Sequence, residues 1–88
     1  MKIKKGFVLR EVAGEKIVSG EGLNQINFNK LITLNATAAY LWEQIHEKEF
    51  ESETLATLLV EKYAVSYDTA LRDAIALTEE WKRIGIVE

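Results

Sequence analysis

The sequence contains no cysteine. This excludes a disulfide framework, a thiolate zinc site and a thiol nucleophile, leaves stability to packing, and suits a reducing compartment, so the cytoplasm is the expected location. It contains one histidine, His46, so a catalytic triad has one possible base and no cysteine to activate. "EQIH" sets Glu43 and His46 at the i, i+3 spacing of di-metal carboxylate bundles, but that chemistry needs a second such motif and none is present. No glycine-rich phosphate loop appears. The acidic run "EKEFESE" lacks the Asp/Asn/Gly order of a calcium loop and reads as a solvated turn. "MKIKKGFVLR" is basic without an apolar run of signal-peptide length, and nothing approaches a membrane span. A soluble protein with no membrane partner, no cofactor, no metal and no catalytic activity is expected.

Eighty-eight residues suit one domain over 1–88, large enough for a single core yet small enough for each buried aromatic to matter. The net charge of −3 hides an asymmetry. Residues 1–34 hold six Lys/Arg against three Asp/Glu, whereas residues 35–88 hold five against eleven. An acidic helical half is poorly suited to a polyanion, because nonspecific nucleic-acid binding neutralises phosphates with Lys and Arg.

Hydrophobic periodicity changes once along the chain. "GFVLREV", "EKIVSG", "NQINF" and "LITL" are short β-branched and aromatic segments, broken at Ala13-Gly14, at Gly20 and Gly22, and at a turn placed on Asn29-Lys30. They predict a meander of antiparallel strands. From Asn35 the spacing is helical: Ala38, Leu41, Trp42 and Ile45 predict a helix over about 36–46 capped by Asn35. Ser52 is expected to cap a second helix over about 53–63 carrying Leu55, Leu58, Leu59 and Tyr63. Ser66 is expected to cap a third over about 67–84, with Ala70, Ala74, Leu77, Trp81 and Ile84 as its apolar stripe. Gly85 suits a left-handed stop that folds Ile86 back on Trp81. Trp42 and Trp81 are expected to be buried.

The third helix carries more apolar surface than one stripe needs, for Leu71, Ile75 and Thr78 form a second row. Either this row packs on the sheet, or part of it stays open beside a sheet edge as a groove for an extended peptide.

The β-rich start, "LNATAAYLWEQI" and "ETLATLLVEKYAVSYDTALRDAIALTEEWKRIGIVE" together resemble the PqqD-like family. The shared features are Leu-Asn before a Thr-Ala helix with a tryptophan, an acidic turn, and a last helix with Arg-Asp that ends in Gly-Ile-Val. The likeness covers nearly the whole chain and is strongest from Leu34 to Val87. It implies an α+β, winged-helix-like fold, with a small N-terminal antiparallel sheet followed by a three-helix bundle. The resemblance further implies a non-catalytic peptide chaperone, a recognition element for ribosomally made, post-translationally modified peptides. A precursor's leader peptide would add as a strand to "KLITL", in a groove shared with the third helix. It would then be presented to a modifying enzyme, often a radical SAM protein, as in biosynthesis of the quinone cofactor.

The contacts so implied are Ile32, Thr33, Leu34, Leu71, Arg72, Ile75 and Thr78. Ile32 and Leu34 share one face of the strand, so that pair either lines the groove or is core and offers only its backbone. Arg72 and Asp73 match the family's Arg-Asp pair and either touch the peptide or support the helix. The segment "GEGLNQINFN" departs from the family pattern and leaves open which sheet edge is free. Two other classes are an adaptor that binds a folded partner and a winged-helix DNA-binding regulator. The second would want Arg or Lys where the third helix opens "YDTALRD".

Overall fold

The computed structural model describes residues 1–20 and 31–88. Its elements are β1 (Phe7–Val12), β2 (Glu15–Gly20), β3 (Leu31–Leu34), α1 (Ala36–Ile45), α2 (Ser52–Lys62) and α3 (Tyr67–Ile84). The protein is α+β, with a three-stranded antiparallel sheet of order β1-β2-β3 preceding three helices. The strand expected in "NQINF" and the turn at Asn29-Lys30 lie outside the described residues.

β1 and β2 join through a two-residue turn whose backbone is left-handed twice, φ being 53° at Ala13 and 83° at Gly14. Two positive φ values match the right-handed twist of the flanking strands, and Val12 pairs with Glu15 directly across the turn. The register then sets Leu9 opposite Val18 and Val18 opposite Ile32. Val18, fully buried, is the centre of the sheet's core face.

Helix starts follow local chemistry, and two of the three caps are the expected residues. The Asn35 side chain accepts the Ala38 N–H at 2.8 Å, and the Ser66 hydroxyl accepts the Thr69 N–H at 3.2 Å. α2 differs from expectation: Glu51 occupies the cap position and its N–H donates to Thr54 Oγ1 at 3.1 Å. Ser52, expected to be the cap, is the first helical residue, and its hydroxyl lies 3.0 Å from Thr78 Oγ1 on α3. Gly85 is left-handed, φ 88°. Gly85 N–H donates to Lys82 and Trp81 carbonyls and Ile86 N–H to Trp81 at 3.1 Å. This double bond pattern closes α3 and buries Ile86.

The core is aromatic at its centre. Trp42 and Trp81 are 2% and 1% exposed and meet edge to face at 5.7 Å between centroids. Phe50 packs on Trp81 in the same way at 6.4 Å. That ring corrects the reading of "EKEFESE" as wholly solvated: Glu47, Lys48 and Glu49 are exposed, whereas Phe50 is buried and turns inward. Ile3 bridges Val87, and Lys2 exchanges backbone bonds with Glu88, so both chain ends close over this core.

Candidate functional site

β3 is four residues long and pairs with β2 along one side only, which makes it an edge of the sheet among the described residues. Such an edge presents main-chain N–H and C=O groups available for pairing. Leu34 is buried, Ile32 is half-buried against the core, and Thr33 is exposed on the other face. Of the two readings of the Ile32 and Leu34 pair, packing therefore favours core for Leu34 and a shared position for Ile32. The alternation of side chains along a strand leaves the backbone and Thr33 as what this edge offers.

Where β3 ends, the surface is concave. A hollow of about 280 Å³ has a floor of Ala38, Leu41, Leu59 and Leu77, contributed by all three helices. Its rim carries Asn35, Thr37 and Asp73. Asn35 is placed by its cap bond to α1, and Asp73 and Leu77, four apart on α3, share one helical face. This volume suits a side chain better than a whole small molecule, whose sites usually span ~300–1,000 Å³.

The row expected on α3 is divided by the packing. Thr78 is 2% exposed; its hydroxyl donates to the Ile75 carbonyl at 3.0 Å and meets Ser52 of α2. It faces α2, so its expected place on an open groove is corrected. Leu71, seven residues earlier on the same helical face, packs half-buried against the core. Ile75 is 45% exposed and Arg72 is exposed. None of these four lines the hollow beside β3. The α3 residues that do, Asp73 and Leu77, were legible only indirectly, Asp73 through the Arg-Asp pair and Leu77 as a member of the expected buried stripe.

A second, wider hollow of about 570 Å³ touches the same end of β3 at Thr33 and Leu34 and is walled by Tyr40, Tyr63 and Lys62. The two tyrosines meet edge to face at 6.4 Å, and the Lys62 ammonium sits 4.8 Å from the Tyr40 ring centre.

The displaced titrations belong to exposed ion pairs. A hydrogen bond from Lys16 holds the Glu11 carboxyl below its ordinary range and raises Lys16 in return. The Arg83 guanidinium does the same to Glu80. Both pairs sit away from the hollow beside β3. Among the described residues no group of three His, Asp or Glu is placed to hold a metal. His46 is exposed and stacks on Trp42 at 6.4 Å. No helix among the described residues is long and apolar enough to cross a membrane.

A small antiparallel sheet followed by three helices, with an apolar hollow beside a strand that is an edge among the described residues, defines an α+β domain. A family profile, Coenzyme PQQ synthesis protein D (PqqD), matches residues 7–87, and the chain belongs to that family. Among solved structures, the chain resembles one described as TbiB1 in complex with the TbiA(beta) leader peptide, with a TM-score of 0.78. The match covers 100% of this chain and 95% of that one at 18% identity, a level at which the likeness establishes the fold. No protein with a curated description matches the chain.

Proposed function

We propose that the protein is a non-catalytic peptide-recognition domain acting over residues 1–88. It binds the leader segment of a ribosomally made precursor and presents it to a modifying enzyme of the radical SAM class. The leader adds as an antiparallel strand to the outer edge of β3, with main-chain bonds supplying affinity and a side chain set into the adjoining hollow supplying register. The observation that carries this reading is the edge of Leu31–Leu34, unpaired on one side among the described residues, next to a hollow with an apolar floor. Family membership and the leader peptide bound by the structurally similar TbiB1 support the class of ligand.

On this reading Ile32, Thr33 and Leu34 contribute chiefly backbone, and Leu77 and Asp73 face the ligand. Leu71 supports α3 from the side that carries Thr78, while Arg72 and Ile75 lie at the margin. The test is an amide-shift titration with a synthetic leader from a precursor gene adjacent to this one. Shifts gathered on residues 31–35 and 73–77, and lost when Thr33→Pro takes an N–H from β3, are expected. Shifts confined to the Ala13-Gly14 turn or to residues 47–53 would overturn the proposal.

A further inference from the structure

Asp73 shares the hollow beside β3 with the first turn of α1, a turn that carries no acidic residue of its own. Its carboxylate stands on the rim of the hollow beside β3 and makes no hydrogen bond or ion pair with any described residue. The positions that neighbour it on α3, three and four residues away, are Thr69, Ala70, Ala76 and Leu77, none of them a cation able to balance it. The first turn of α1, which forms the opposite wall, is Ala36, Thr37 and Ala38. Capping of that turn is already done by the Asn35 side chain at 2.8 Å from the Ala38 nitrogen. A carboxylate with no cationic side-chain partner among the described residues, met only by the partial positive charge of the α1 N-terminus, thus borders a floor of Ala38, Leu41, Leu59 and Leu77.

Resting on the strand-addition reading above, we infer that the recognised leader carries a basic residue two positions from an apolar anchor. In an added strand, alternate side chains point the same way and stand about 6.6–6.8 Å apart. If one fills the apolar floor, its neighbour two positions away reaches the rim. Lys or Arg there pairs its ammonium or guanidinium with Asp73. The peptide itself partly excludes water from the pair, which strengthens it relative to a fully solvated one. The surrounding charge acts in the same direction, because residues 35–88 hold eleven acidic against five basic side chains. An acidic leader would meet the same field as repulsion.

The experiment is selection of random ten-residue peptides by display on the full chain, performed in parallel on wild type, Asp73→Asn and Asp73→Lys. Asp73 is exposed, so both variants are expected to keep the wild-type melting temperature. Wild type should enrich Lys or Arg two positions from an aliphatic or aromatic residue, Asp73→Asn should lose that enrichment, and Asp73→Lys should replace it with Asp or Glu. Replacing the basic residue of a selected peptide by norleucine should weaken binding to wild type about two- to fivefold at low salt. The difference should shrink in 0.5 M NaCl. Peptides that shift the amides of residues 31–34 without any charge preference, equally on all three proteins, would overturn this inference and leave strand addition standing. Selected peptides that shift only other amides would overturn both.

Discussion

Phe50→Ala separates a solvated acidic turn from a buried aromatic anchor. The ring is 2% exposed and packs on Trp81 at an interplanar angle of 84°. Its backbone N–H donates to the Met1 carbonyl at 2.8 Å, a bond alanine retains, so the substitution isolates the side chain. Removing a buried phenyl ring costs about 3–5 kcal/mol, from lost transfer free energy and the cavity left behind. Of this, ~0.5–1.5 kcal/mol belongs to the edge-to-face pairing itself. A domain of 88 residues has a total stability of about 4–13 kcal/mol, so about a quarter or more is at stake. At ~4–8 °C per kcal/mol, the melting temperature should fall by about 12 °C or more. Urea unfolding followed by tryptophan emission measures the loss, and a double-mutant cycle with Trp81→Leu isolates the pairwise part. A change under about 0.5 kcal/mol, the size expected for an exposed position, would refute the inward placement of Phe50.

Thr78→Val should cost about 1–2 kcal/mol, because the Ser52 hydroxyl loses its acceptor in a half-buried site. Ser52→Ala should cost less, since Thr78 keeps the Ile75 carbonyl, and equal losses in denaturant titrations would contradict that donor assignment. Ala13→Asn should stabilise by about 0.5–1 kcal/mol, as asparagine tolerates the left-handed backbone of a two-residue hairpin better than alanine; a lower melting temperature would count against the turn. Glu80 titrates below its ordinary range because Arg83 binds the ionised form. Its contribution is therefore present at neutral pH and disappears as the pH falls through the lowered value. The stability gap between wild type and Glu80→Gln should close in acid and in high salt, and a gap that widens in acid would reverse the sign of the coupling.

Features made by residues three to five apart were legible in the sequence. Asn35, Ser66 and Gly85 each act through a bond to a neighbour in the chain. The extents of α1 and α3 and the β1–β2 hairpin follow from equally local patterns. Local chemistry was less decisive at Ser52, because its hydroxyl has a rival partner, Thr78, 26 residues away. Family resemblance pointed to the strand of the candidate site, while the packing located the hollow beside it.

What the sequence determined by itself was therefore the class of fold, the ends of α1 and α3 and the presence of a broad apolar arc on α3, since each is set by composition or short-range geometry. Which part of that arc faces outward was decided only by tertiary structure. α2 packs on the flank of Thr78, so the hollow opens on the other flank, beside Asp73 and Leu77. Phe50 is likewise core only because Trp81 of a distant helix offers its face. A helical period states which residues share a side, and only the neighbours that arrive from elsewhere in the chain determine which side is covered.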